Sequence, residues 1–296
     1  MFDIIVIGHL THDHVRVGDK ELPQSLGGTT AYVSMVASRL GARVGIVSKV
    51  GADFRFEETL RRGGVDLMGL RVVERGTTTF ENLYDGSGRR LQRVSQRCED
   101  ISLKDVPENY FEAKCFHIGA LVQEVALGIA REAFKQKILT SLDLQGYCRS
   151  INAEGLVHLS GWNEAEGALK HIKILKGDLE EALCASKTSD IEEAMDFFWG
   201  CGVQVVLVTM GRDGSLLGYD GTVERIPALK SGGVVDPTGA GDAYAAGFLF
   251  DYLRSMNPSS AALFASSVAS FAVEGWGFSN VPTEKAVRKR VMGSSL

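Results

Sequence analysis

The stretch Val234-Val235-Asp236-Pro237-Thr238-Gly239-Ala240-Gly241-Asp242-Ala243-Tyr244-Ala245-Ala246-Gly247 decides how the rest of the chain is read. A short apolar run enters it and Pro237 with two glycines predicts a tight turn. From Ala240 through Arg254, residues Ala243, Tyr244, Gly247, Phe248 and Tyr252 recur at helical spacing. The pattern predicts strand, glycine turn, helix. Gly239 and Gly241 let successive backbone N–H groups converge at a helix N-terminus, where the partial positive charge favours a phosphate or another anion. Asp242 puts a carboxylate in the same concavity. Two uses of that acid stand open: a helix cap, the commoner role of Asp, or a general base working on a hydroxyl beside a transferring phosphoryl group.

Composition bounds the classes available. The chain has 296 residues, 45% hydrophobic and 23% charged, enough to bury a large α/β core and unlike a disordered or fibrous protein. A formal net charge of -5 offers no basic surface for nucleic acid, and the Lys285 to Arg290 cluster reads as one solvated helix face. Five cysteines, an odd number without a Cys-x-x-Cys pair, suggest reduced thiols and no metal framework. Residues 2 to 8 carry no basic leader, and Ala261 to Val273 is too short and serine-rich to span a bilayer. The expectation is a cytoplasmic protein without membrane or nucleic-acid partners.

Phe2 to Gly8 is a continuous apolar run, which predicts a parallel strand buried on both faces. Beyond its carboxyl end, a favoured ligand position in open α/β sheets, come His9, His12, Asp13 and His14. A metal site is the lesser reading, because His12 and His14 share one strand face and His9 lies on the other. Asp13 instead suits vicinal hydroxyls as a hydrogen-bond acceptor. Gly27-Gly28 opens a helical stretch ending at Gly41, followed by the strand from Val44, so strand, helix and strand form one crossover unit. The glycine pair is either a plain turn or a place of close backbone approach to a ligand, and Tyr32 offers an aromatic ring nearby. Threonines and aromatics from Thr77 to Arg97 around Asp85-Gly86 predict a β-hairpin, with Arg89 and Arg90 as exposed edge charges. Cys115 to Ala120, Ile138 to Leu144, Gly155 to Leu159, Ile172 to Lys176 and Val203 to Thr209 read as further strands in an α/β alternation. No Gly-x-Gly-x-x-Gly follows the first strand and no Walker lysine motif occurs, which argues against dinucleotide-binding and P-loop proteins.

Asp236 to Asp242, with the aromatic and Ala-Ala-Gly-Phe that follow, resembles the signature of the ribokinase-like PfkB sugar kinases, usually Asp-Thr-Thr-Gly-Ala-Gly-Asp; Pro237 replaces a Thr. Gly27, Gly28, Leu40, Gly41, Gly51 and Asp53 match the family at the expected spacing. The resemblance spans nearly the whole chain. It implies a single α/β domain over residues 1–296, a three-layer α/β/α sandwich with a mainly parallel sheet and a small β-sheet lid from about 9–22 and 77–97. It further implies Asp242 as catalytic base, an anion hole at Gly239, Ala240 and Gly241, and acceptor contacts at Asp13, Gly27 and Gly28. The nucleotide would meet Thr209, Gly211, Gly214 and Thr238, and Asp178 with Glu181 stand where the family's Asn-x-x-Glu serves magnesium.

Departures rank the substrate. Thr11 replaces an Asn of the usual ribose contact, and Thr29 replaces a Lys found in many phosphosugar kinases, which argues against an already phosphorylated acceptor. Asp143-x-Gln145, the His12-Asp13 pair and Tyr32 are similar to the inositol-kinase-like branch. The reading is therefore an ATP- and Mg²⁺-dependent kinase of a small sugar or polyol, best myo-inositol. A nucleoside, ribose or fructose kinase is the alternative, and a catalytically silent binding protein on the same scaffold a further one. The resemblance also admits potassium activation and a homodimer joined through the lid.

Overall fold

The computed structural model describes residues 1–84 and 90–294. Its main sheet comprises β1 (Ile4–Ile7), β5 (Val44–Gly51), β6 (Asp66–Val73), β9 (Cys115–Ile118), β10 (Leu139–Asp143), β13 (Ile174–Asp178), β14 (Val205–Thr209), β15 (Ser215–Tyr219) and β16 (Thr222–Ile226). A second sheet is built from β2 (Thr11–Val17), β3 (Lys20–Glu21), β4 (Ser25–Gly27), β7 (Thr78–Tyr84) and β8 (Arg90–Gln96), and a ribbon from β11 (Arg149–Ile151) and β12 (Val157–Leu159). The helices are α1 (Thr29–Leu40), α2 (Glu57–Arg62), α3 (Gly128–Lys135), α4 (Ala165–Leu169), α5 (Leu179–Ser186), α6 (Ile191–Gly200), α7 (Ala240–Ser255), α8 (Pro258–Ala272) and α9 (Glu284–Gly293).

The main sheet runs β16-β15-β14-β13-β10-β9-β1-β5-β6, with every pairing from β14 to β6 parallel and only β15 and β16 antiparallel to their neighbours. Residue alternation in β1 explains the layering. Ile4 and Val6 point into one core with residues of α1, α7 and α8, whereas Ile5 and Ile7 point into another with residues of α3, α5 and α6. Each such fully buried aliphatic side chain contributes roughly 1.5–3 kcal/mol. The result is the expected three-layer α/β/α sandwich. β1, α1 and β5 form the predicted crossover, closed by Gly41 in a left-handed C-cap.

The small sheet covers one end of this sandwich. β2 and β7 pair in parallel and β7 and β8 antiparallel, as the hairpin pattern predicted. The hairpin's turn, Asp85 to Arg89, and the Arg90 side chain lie outside the described residues.

Three expectations give way. Val234 and Val235 form no strand: they are 69% and 47% exposed. The N–H groups of Val235 and Asp236 bond to the Val273 carbonyl at the end of α8, so this segment is pinned to a helix end rather than to a sheet. Gly155 to Leu159 is not part of the main alternation either; its half-exposed residues pair with β11 in the antiparallel ribbon. Finally, the basic cluster of α9 is not simply solvated, because Arg288 reaches Asp251 at 3.0 Å and Arg290 reaches Glu274 at 2.9 Å. No helix among the described residues is long and apolar enough to cross a membrane, and the five cysteines are unpaired.

α7 and α8 approach closely at Gly247, where an added Cβ would meet Val268 at 2.8 Å and Ala265 at 3.0 Å. Gly247→Val should therefore cost about 1–3 kcal/mol through overpacking, read as a lower urea midpoint; an unchanged midpoint would contradict this packing.

Candidate active site

The parallel strands end on one edge, and the first turn of α7 sits over it. Gly239 is the N-cap of α7 at φ 76°, a left-handed conformation that strains any residue with a side chain. A side chain there would also run into the Tyr32 ring, so the turn rests directly on that ring. Asp236 prepares the turn by accepting the Thr238 N–H at 2.9 Å. The Ala240 N–H, expected in the anion hole, is instead closed onto the Pro237 carbonyl at 3.2 Å. Among the described residues the N–H groups of Gly241 and Asp242 have no backbone acceptor. They are the donors that α7 offers to an anion.

A cavity of about 160 Å³ opens between this turn and the small sheet. Its walls include Thr11 and Asp13 of β2, Phe80 of β7, Gln92 of β8, Gly28, Thr29 and Tyr32 around α1, Gln145, Arg149, Thr238, Gly239 and Asp242. Of the sequence-derived candidates, Asp13, Gly28, Tyr32, Gln145, Thr238, Gly239 and Asp242 thus come together. Asp13 accepts the Thr11 hydroxyl at 2.6 Å, so Thr11 orients the carboxylate that its family counterpart would accompany. Gly28 has φ 89° and caps α1, and a Cβ there would stand 2.6 Å from the His9 carbonyl. Gly27 makes room rather than contact: a Cβ there would overlap the Asp13 carboxylate.

Asp143, which with Gln145 was a candidate substrate contact, is fully buried and is not among the residues that line the cavity. One of its oxygens accepts the Gln145 N–H at 3.0 Å and the other the Lys176 ammonium at 2.8 Å. Lys176 lies under the first turn of α7, its Nζ 3.1 Å from where a Gly241 side chain would begin. Burial works to strip its charge, but Asp143, Glu181 and Asp242 outweigh burial and raise its pKa. Burial likewise pushes the Asp242 carboxyl up to about 6, against the pull of Lys176, the Thr29 hydroxyl and Arg149 and with the help of Asp143. A carboxylate poised there is a base near neutral pH.

Asp178 and Glu181 form a reciprocal capping box on α5: Asp178 accepts the Glu181 N–H at 2.8 Å and Glu181 accepts the Asp178 N–H at 2.9 Å. Burial raises the Glu181 carboxyl to about 7, opposed by Lys176 and Arg149. Among the described residues no group of three or more His, Cys, Asp or Glu could cage a metal. His9 bonds the Glu99 carbonyl and Thr78, and His12 packs between Phe54 and Phe56. Asp178 and Glu181 are two carboxylates on one helix turn, a number that suits a cation keeping most of its waters rather than a closed protein cage. Thr209 ends β14 in register with Asp178, and Gly211 and Gly214, both at positive φ, turn the chain into β15 along the same edge. Thr209, Gly211 and Gly214, expected from the sequence at a nucleotide, do not line the cavity.

A family model described as pfkB family carbohydrate kinase matches residues 1–285. The chain belongs to the PfkB family of carbohydrate kinases. Among curated relatives of this PfkB kinase, the cytidine kinase of Thermococcus kodakarensis is 31% identical over 261 residues, covering 86% of this chain and 90% of that protein. The inositol 3-kinase of Oryza sativa subsp. japonica is 29% identical, covering 94% of this chain and 69% of that one. In fold, a ribokinase from Arabidopsis thaliana solved with ribose and ATP aligns with TM-score 0.80 at 20% identity, covering 99% of each chain. The resemblance to the inositol-kinase branch and the α/β fold are thus borne out.

Sequence reasoning missed Lys176 and Arg149. Lys176 had a partial signal, one of two lysines in the apolar run Ile172 to Gly177; a lysine buried in such a strand demands a counter-ion. Arg149 had none, because its ribbon was not foreseen.

The raised Asp242 pKa predicts a kcat/KM that climbs with pH through about 6 and then levels; a flat kcat/KM profile between pH 5 and 8 would exclude a base of this kind. The same shift is a stability penalty. The folded state holds a proton that the unfolded chain releases near 3.8, so stability is lost as pH rises from there through about 6. Asp242→Asn should accordingly melt higher than wild type at pH 7.5, by on the order of a few degrees.

Proposed function

We propose that this PfkB kinase transfers the terminal phosphoryl group of ATP to a hydroxyl of a small unphosphorylated polyol, with myo-inositol the best match. The observation that carries the reading is the raised, cavity-facing Asp242 carboxylate on the first turn of α7, opposite a wall rich in hydrogen-bonding side chains. Asp13, Gln92 and Gln145 would hold the acceptor's hydroxyls, with Thr11 and Gly27 keeping Asp13 in place. Asp242 would take the proton of the attacking hydroxyl, and the Gly241 and Asp242 N–H groups would face the charge that develops on the phosphoryl oxygens. Thr209, Gly211, Gly214 and Thr238 would hold the nucleotide. Mg²⁺, held through waters by Glu181 and Asp178, would neutralise and orient the donor phosphates. The small sheet would act as the lid that keeps water from the transfer.

A nucleoside acceptor is the second reading, favoured by the similarity to a cytidine kinase and by the rings of Tyr32 and Phe80 in the wall. Against it, Tyr32 is 7% exposed, lies under Gly239 and packs on Phe278 at 4.7 Å between ring centroids, while Phe80 is 3% exposed. Neither ring presents an open face on which a base could stack.

Asp242→Asn should fold and bind ATP but turn over about 10² to 10⁴ times more slowly. The acceptor is tested by coupled detection of ADP with ATP and Mg²⁺ across myo-inositol, ribose, fructose, adenosine, cytidine and fructose 6-phosphate. Turnover centred on myo-inositol is expected; turnover centred on cytidine or adenosine would replace the polyol reading.

A further inference from the structure

Among the described residues that line the cavity, Arg149 is the one cation. It extends from β11, outside the main sheet, and it is loosely held. Its guanidinium meets Glu181 at 3.4 Å and Gln92 at 3.5 Å, both at the outer limit of a hydrogen bond. Lys176 shows the contrast: its ammonium is locked on Asp143 at 2.8 Å in a pair buried to 6% and 0% exposure. Lys176 therefore stabilises the floor of the site, while Arg149 can reorient with little to lose.

The chemistry leaves a place for such a group. A phosphoryl group in transit spreads negative charge over three equatorial oxygens. α7 offers the Gly241 and Asp242 N–H groups, and the carboxylates of Asp13 and Asp242 face the same space with the opposite sign. A planar guanidinium matches two phosphoryl oxygens at once. Arg149 also lies close enough to Asp242 to draw its carboxyl toward the charged form.

We propose that Arg149 is a further catalytic residue, whose guanidinium leaves Glu181 and Gln92 to grip the equatorial oxygens of the phosphoryl group as it passes to the acceptor. The proposal rests on the kinase mechanism described above. The acceptor oxygen forms the new O–P bond and gives its proton to Asp242; the donor's bridging O–P bond breaks, its electrons leaving with the nucleoside diphosphate. Arg149 forms no covalent bond and exchanges no proton. Its ribbon is tied to the small sheet by the Val94 N–H to the Gly155 carbonyl at 2.8 Å and by Arg93 to the Glu154 carbonyl at 3.0 Å. A residue acting only as a latch between sheet and body would accordingly show its loss in the acceptor KM, not in kcat.

The test uses the full chain with its best acceptor, ATP and Mg²⁺. Arg149→Met should lower kcat by about 10²-fold or more, with both KM values within about threefold of wild type. Arg149→Lys keeps the charge beside Glu181 but loses the fork, and should lose about tenfold in kcat. MgADP with aluminium fluoride and the acceptor, a mimic of the group in transit, should bind wild type at least about tenfold more tightly than Arg149→Met, while MgADP alone binds both equally. A kcat within threefold in Arg149→Met, a loss confined to the acceptor KM, or equal binding of the mimic would overturn the proposal. If Arg149→Met does not fold, a wild-type kcat in Arg149→Lys overturns it. Asp242→Asn separates the two levels: an inactive Asp242→Asn beside a fully active Arg149→Met rejects Arg149 alone, whereas an active Asp242→Asn rejects the mechanism beneath it.

Discussion

A lysine ammonium buried under the first turn of a helix is the constraint on which this site depends. Lys176 stays charged there because Asp143 holds it at 2.8 Å and because Glu181 and Asp242 add to the negative field. Were Lys176 neutral, the Asp143 carboxylate would be buried without a counter-charge, which no fold tolerates cheaply. With Lys176 charged, two positive sources, its ammonium and the α7 N-terminus, lie on the same side of the cavity floor. Four carboxylates, Asp143, Asp178, Glu181 and Asp242, then stand against two cations, Lys176 and Arg149. Burial above all, and the surplus of negative charge with it, raises the pKa values of Glu181 and Asp242. The Asp242 carboxyl is thus set by its burial and by the same charges that hold the strand ends together.

Around that floor the fold divides the labour by rigidity. The parallel strands are packed on both faces by the two cores and α7 belongs to one of them, which gives Asp242 and the helix end a fixed position. The opposite wall comes from β2, β7 and β8, a sheet with far less buried apolar surface of its own. Cavity-lining side chains such as Asp13 and Gln92 thus ride on the less deeply packed element, and Asp242 with the α7 N-terminus on the more deeply packed one. Such a split allows a substrate to be admitted without disturbing the groups that act on it.

Much of this was legible in the sequence because it is local. Val234 to Gly247 announced its turn, its helix and its carboxylate through glycine and proline chemistry, and Phe2 to Gly8 announced a doubly buried strand through continuous hydrophobicity. The failures lie where a residue's partner is distant in sequence. Val234 and Val235 looked like strand because nothing nearby reveals that their N–H groups belong to Val273. Asp143 looked like a ligand because its claim on Lys176, 33 residues away, is invisible to spacing. Gly27 looked like a contact when it is clearance for Asp13. Ala240 is a local exception: it looked like an open donor, but the carbonyl of nearby Pro237 already accepts its N–H. Arg149 reaches the site from a ribbon whose register no local pattern encodes.

The central claim is that Asp242 and the first turn of α7 meet the reacting hydroxyl and the transferring phosphoryl group together. A crystal structure of the full chain with the preferred acceptor and a non-hydrolysable ATP analogue tests it most directly. The account predicts an acceptor hydroxyl about 2.6–3.2 Å from an Asp242 carboxylate oxygen, and the terminal phosphoryl group within hydrogen-bonding reach of the Gly241 and Asp242 N–H groups. An acceptor hydroxyl held by another base, with Asp242 beyond contact, would contradict it.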